Sequence, residues 1–256
     1  MNTKLIFGAF VAAVFFSIAP ATSAIVADLG EFTDVTVRDA NGEVILLQTV
    51  EPSNPLVLKT QHFLRLGAVQ DGTSEARPGG GTADPGTDCE SDAYKTAGWF
   101  WPGPYSAYST TVASTVSSAL SEWDSNTAKS ISGGASSGSR GTAGTYDGVN
   151  QLDWVNIGAS TTIAVTTTWS YRGSGEAAES DGQYNTYYAW GSGQSNAMDY
   201  ENIIQHETGH TFGLNHPTSS STNSCLTMYA YSDYGVTSGR TLGDGDILGI
   251  KAVYGS

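Results

Sequence analysis

The feature that most constrains this chain is one run, His206-Glu207-Thr208-Gly209-His210-Thr211-Phe212-Gly213-Leu214-Asn215-His216. Residues four apart on a helix share a face, so the spacing predicts a helix that presents His206 and His210 side by side. Glu207, one position on, is rotated around that helix toward whatever the two imidazoles hold. Gly213 stands where the helix has to stop, because glycine takes the left-handed conformation that ends a helix and redirects the chain. The redirection lets His216 return from outside the helix as a third imidazole. Three neutral imidazoles can bind a tetrahedral Zn²⁺ and leave its fourth position for water, which is the arrangement of a catalytic site. A bare H-E-x-x-H arises by chance on ordinary helices, but here three of the chain's four histidines fall within the one run.

This run has the long zinc signature of the metzincin metallopeptidases, which also requires a downstream Met-turn. Ser224-Cys225-Leu226-Thr227-Met228-Tyr229 supplies a candidate, with Met228 twelve residues after His216. Within the metzincins the chain most resembles the matrixins. Asn185 through Gly191 is similar to the matrixin approach to the active-site helix, and Leu242 through Gly255 to the matrixin C-terminal helix. The resemblance covers roughly the last two-thirds of the chain and is weak before about Tyr94.

The resemblance implies an α+β metzincin (zincin-like) catalytic domain, a twisted mixed β-sheet packed on helices with an active-site helix and a C-terminal helix. It implies a zinc-dependent endopeptidase in which His206, His210 and His216 bind one catalytic zinc, Glu207 is the general base and Met228 is a structural floor. Protein or peptide substrates would lie as an added strand along a sheet edge, for which Thr161 to Tyr171 is the candidate. Two departures from the pattern stand out. Ala230 occupies the position of the tyrosine that some metzincins use as an extra ligand. A second, histidine-held zinc cannot be built in the usual way, because the one remaining histidine is His62. Calcium is a further candidate cofactor at Glu176, Glu179, Asp181 and Asp199, which a solvated acidic loop explains equally well. The rival functional reading is a non-catalytic zinc-binding adhesion or binding protein on the same fold. The intact Glu207 argues against it.

The ends of the chain suggest export. Lys4, the apolar run Leu5 to Ala19 and the small residues Ala19 to Ala24 have the layout of a removable signal peptide over 1–24. The apolar run is shorter than the roughly 20 residues that span a bilayer. A secreted, extracellular monomer with no stable membrane association is expected. The formal charge of −14 argues against nucleic acid, since phosphates would be repelled. Cys89 and Cys225 are the only cysteines. In an exported protein they most simply form one disulfide. The alternative takes Cys89 as a latency thiol on the zinc, as in animal matrixin propeptides with P-R-C-G-x-P-D, but Asp88-Cys89-Glu90 departs from that motif.

Residues 25–88 read as a candidate propeptide and linker. Apolar alternation in Glu43–Leu47 and Leu56–Leu58 suggests a small β-rich unit, and 71–88 is crowded with Gly, Pro, Asp, Thr and Ser. The metallopeptidase domain is placed at 89–256. Within it Thr110 to Asp124 has a helical apolar face of Val112, Val116, Ala119, Leu120 and Trp123. Residues 133–144 read as a Gly/Ser loop. Leu152 to Ile157 and Thr161 to Tyr171 read as strands, and Gln183 to Trp190 as another. Asp199 is the expected N-cap of the helix Tyr200 to Phe212, and a last helix starts near Asp244.

Overall fold

The computed structural model describes residues 32–67 and 89–256, so the signal-peptide segment 1–24 and the 71–88 stretch lie outside the described residues. In chain order the strands before the first helix are β1 (Val35–Arg38), β2 (Val44–Glu51), β3 (Asn54–Leu66), β4 (Lys95–Thr96) and β5 (Tyr105–Ser109). Helix α1 (Ala113–Ser125) leads to β6 (Ser132–Ser137), β7 (Gln151–Val155), β8 (Thr162–Tyr171), β9 (Ala177–Asn185), β10 (Trp190–Gly191) and β11 (Met198–Asp199). Helix α2 (Tyr200–Thr211), β12 (Leu214–Asn215), β13 (Tyr231–Ser232) and helix α3 (Asp244–Tyr254) complete the chain.

The main sheet runs β1-β2-β3-β8-β9-β7-β5-β6, with β13 attached to β3. Its β6-β5-β7-β9 half is parallel and its β9-β8-β3-β2-β1 half antiparallel, so the sheet is mixed as expected. The apolar face of α1 buries Val116, Ala119, Leu120 and Trp123 as its spacing predicts. Val112 precedes the helix as its N-terminal flank. Trp123 reaches α2, where its Nε1 donates to the Gln205 carbonyl at 3.0 Å. Ile203 and Ile204 of α2 and Ile250 of α3 enter the same core.

Two expectations are corrected. The strands read within 25–70 do form, but they do not fold apart from the rest. Through β3, which pairs with β8 from Val57↔Tyr171 to Arg65↔Thr162, they extend the one sheet. Apolar alternation specifies a strand and leaves its partner open. The Gly/Ser stretch at 133–144 is also partly strand, because β6 pairs parallel with β5 from Tyr105↔Ser132 to Ser109↔Ser137, with Gly133 at a close approach. A Cβ on Gly133 would sit 2.1 Å from Ser106 Oγ.

Strand β8 is buried on both faces for nearly its whole length. The loop between β6 and β7 covers one face, where Tyr146 stacks on Trp169 at 5.6 Å. Two carboxylates of β9 hold that loop. Asp181 accepts the backbone N–H groups of Gly144 and Gln151, each at 2.8 Å, and Glu179 accepts those of Asp147 and Gly148. Burial pushes the Asp181 carboxyl up to about 8, with the Glu179 and Asp147 carboxylates adding to it against those amide bonds. An unfolded Asp titrates near 3.9. Across the interval between, the folded chain keeps a proton that the unfolded chain has released, so this group's contribution to stability falls as pH rises. Urea midpoints of Asp181→Asn should therefore decline less between about pH 5 and pH 8 than those of the parent chain. An equal or steeper decline would contradict this role.

Candidate active site

Helix α2 begins where Asp199 accepts the Asn202 N–H at 2.9 Å. Arg240 reinforces that cap through its Nε, 2.9 Å from the same carboxylate. The helix ends at Gly213, whose φ of 90° is left-handed. A Cβ there would also lie 2.4 Å from the Trp99 carbonyl oxygen, so the position is closed to side chains twice over. The chain then forms β12, which pairs with β4, and His216 follows directly. Just ahead of β5, Trp99 is buried and the partly buried Trp101 donates its Nε1 hydrogen to the Thr211 carbonyl at 2.8 Å, so this segment packs against the end of α2.

These constraints bring His206, His210 and His216 together. Their Nε2 atoms form a triangle with sides of 3.0, 3.0 and 3.2 Å. His206 Nδ1 lies 2.6 Å from the Thr227 carbonyl and His210 Nδ1 lies 2.9 Å from that of Leu214. A carbonyl only accepts, so both Nδ1 atoms carry the proton and both Nε2 lone pairs face inward. Convergent lone pairs repel unless a cation lies between them. Donors about 2.0–2.1 Å from a tetrahedral zinc are about 3.3–3.4 Å apart, close to the observed triangle. Burial lowers the proton affinity of His206, to about 4, and carries His210 and His216 well below the usual histidine range. All three rings are therefore neutral and ready to ligate near neutral pH. Among the described residues this is the one group of His, Cys, Asp or Glu side chains close enough to share an ion.

Glu207 is buried beside the triad. Its Oε2 accepts the Thr166 hydroxyl of β8, and its Oε1 has no partner. Burial pushes its carboxyl up to about 8 against the Thr166 hydrogen bond. A cation at the triad acts in the opposite sense by favouring the carboxylate. Met228 packs against α2 where Gly209 leaves room. A Cβ at 209 would meet Met228 Sδ at 2.2 Å and Trp123 Cζ2 at 2.7 Å. Gly209, the small residue inside the motif, is thus what admits Met228 against the helix.

Three contributors were not legible in the motif. Thr166 orients Glu207. Asp246 of α3 accepts the Thr227 N–H at 2.8 Å and the Met228 N–H at 3.1 Å, which fixes the carbonyl that holds His206. An Asp in the first turn of a helix was a faint signal for it. His62, which falls in the segment read as a propeptide, stacks on His210 at 4.1 Å and 12°. Conversely, Glu176, Glu179, Asp181 and Asp199 do not gather around a shared point. Glu179 and Asp181 hold the loop and Asp199 caps the helix.

Cys89 and Cys225 are bridged, with Cα atoms 5.6 Å apart, so neither is a thiol available to a metal. Cys89 also accepts the Asp244 N–H through its carbonyl at 3.2 Å. The bridge therefore joins the start of this region to the Met228 segment beside α3.

No curated protein matches the chain. The matrixin family model matches residues 104–255. The match runs from just before β5 through α3, across the elements that carry the triad, Glu207 and Met228, and the chain belongs to the matrixin family of metallopeptidases.

Proposed function

We propose that this protein is a secreted zinc-dependent endopeptidase that hydrolyses internal peptide bonds of proteins, with His206, His210 and His216 as metal ligands and Glu207 as general base. The observation that carries the reading is the inward-facing Nε2 triangle beside a buried carboxylate with one uncommitted oxygen. Zinc, when bound, supplies a Lewis acid and lowers the pKa of water to about 7. Glu207 takes the proton of the attacking water and passes it to the leaving amine. Thr166 restrains Oε2 so that Oε1 carries the proton. The Thr227 and Leu214 carbonyls hold His206 and His210 in the tautomer that ligates, a role that outer-shell acceptors commonly have. A binding protein without turnover would have no use for the Glu207–Thr166 pair, so the non-catalytic reading is disfavoured.

In this reading the first 24 residues direct export, 25–88 is a propeptide cut within 71–88, and the enzyme acts as a released monomer. Among the described residues no helix is long and apolar enough to cross a membrane. The test is a mixed peptide library incubated with zinc-loaded protein, both as the full chain and after limited proteolysis within 71–88, and read by mass spectrometry. Internal cuts that disappear with chelator and return with zinc are expected. No cuts from either zinc-loaded form would overturn the reading.

A further inference from the structure

A cleft of about 280 Å³ opens between α1 and α2, beside the hydrogen bond from Trp123 to the Gln205 carbonyl. On α1 its wall includes Ser114, Ser118 and Glu122. These are four residues apart and so lie along one helix face at intervals of about 6 Å. On α2 the wall is Glu201 and Gln205, at the same spacing, and Arg240 completes the lining from the segment ahead of α3. None of these side chains is a metal ligand or the general base.

The cleft holds an unmet hydrogen bond. Gln205 is 3 % exposed and lines the cleft, yet its Nε2 hydrogens meet no acceptor. A buried amide without a partner is rare and costs stability, and a methionine of nearly the same shape would avoid that cost. The side chain is accounted for if a ligand brings the acceptor.

The rest of the lining narrows what that ligand is. Ala119 is its one apolar side chain and it contains no aromatic ring, so an apolar or ring-stacking molecule has no surface to lie on. Two carboxylates stand against one guanidinium, which is already shared between Glu201 at 3.2 Å and Asp199 at 2.9 Å. The surplus charge is negative, so an anion is repelled and a cation attracted. A metal ion is disfavoured, because among the described residues no third His, Cys, Asp or Glu joins these carboxylates at sharing distance. Hydroxyl and carboxylate oxygens are acceptors, which suit the three donors of a compact ammonium.

We propose that the cleft between α1 and α2 is a binding site for a primary ammonium group carried beside a hydrogen-bond acceptor. Glu122 and the hydroxyls of Ser114 and Ser118 receive the ammonium, and Gln205 Nε2 donates to the acceptor. A lysine within a peptide offers both groups, through its ammonium and its own backbone carbonyl, and so does a small amino alcohol. The volume lies just under the roughly 300–1,000 Å³ of small-molecule pockets, so it admits one such group and no folded partner. The site shares a helix with the zinc ligands but needs no metal, and it is independent of the endopeptidase reading.

The test is a ligand-detected NMR titration of the full chain with Nα-acetyl-lysine N-methylamide and, separately, with ethanolamine. Binding is expected, with preference for the first probe pointing to a peptide lysine and preference for the second to a free amine. Acetylating the lysine ammonium, Glu122→Gln and Gln205→Met should each weaken binding about ten-fold or more, since each removes one charge-assisted or buried hydrogen bond. Gln205→Met should also leave the urea midpoint unchanged or raised, because the amide it removes has no partner in the fold. A role in the core alone predicts the opposite, a lowered midpoint with unchanged binding. That result, binding of neither probe, or binding that survives both substitutions would each overturn the proposal. If Gln205→Met does not fold, Glu122→Gln and the acetylated probe decide.

Discussion

Glu207→Ala is expected to keep zinc at one ion per chain while peptide hydrolysis falls by roughly 10²–10⁴-fold, the range of a positioned general base. The comparison belongs in zinc-loaded protein after limited proteolysis within 71–88, the form proposed to be active. Zinc retention is expected because no ligand is touched and the two outer carbonyls that orient His206 and His210 come from Thr227 and Leu214. The loss falls on kcat, since the carboxylate acts on the moving proton and contributes nothing to holding a peptide along β8. Metal content by mass spectrometry and steady-state kinetics check the two halves separately. Equal hydrolysis by parent and variant would refute the assignment of Glu207. Loss of zinc together with activity would instead show that the carboxylate is needed to build the site.

The second large effect is on stability. Replacing Cys89 and Cys225 together by serine should cost about 2–5 kcal/mol, because the bridge closes a long loop in the unfolded chain. The two positions are 136 residues apart. The site should suffer beyond the global loss. The bridge anchors the segment leading into Thr227 and Met228, and a Cβ on Gly243, just before α3, would come within 3.0 Å of Cys89 Cβ. Loosening that packing frees Asp246 from the turn whose carbonyl orients His206. Urea unfolding with and without reductant measures the first effect, and the rate of zinc removal by chelator measures the second. Identical midpoints would show that the bridge does not constrain the unfolded state, and an unchanged removal rate would separate it from the metal site.

How far the sequence carried differs from element to element. The helix through His206 and His210, its stop at Gly213 and the buried face of α1 were legible because each depends on residues within a few positions of one another. Helical period and a glycine's tolerance of positive φ are local properties. The Gly/Ser stretch before residue 144 was not legible. Small residues usually signal a loop, whereas here the stretch pairs with β5 and Gly133 marks a close approach to Ser106.

By itself the sequence determined which three histidines come together, the helix that carries two of them, the turn that returns His216 and the identity of the only pair of cysteines. Each of these follows from spacing or from count. Tertiary structure alone decided that Thr166 holds Glu207, that Asp246 holds the Met228 turn, and that His62 lies on His210. These contacts join residues far apart in the chain and leave no periodic trace. The same holds for β8. Its alternation specified a strand fit to receive an extended partner, but a strand's unpaired N–H and C=O groups accept any backbone that reaches them. That the partner is the chain's own Val57–Leu66 was settled by the fold.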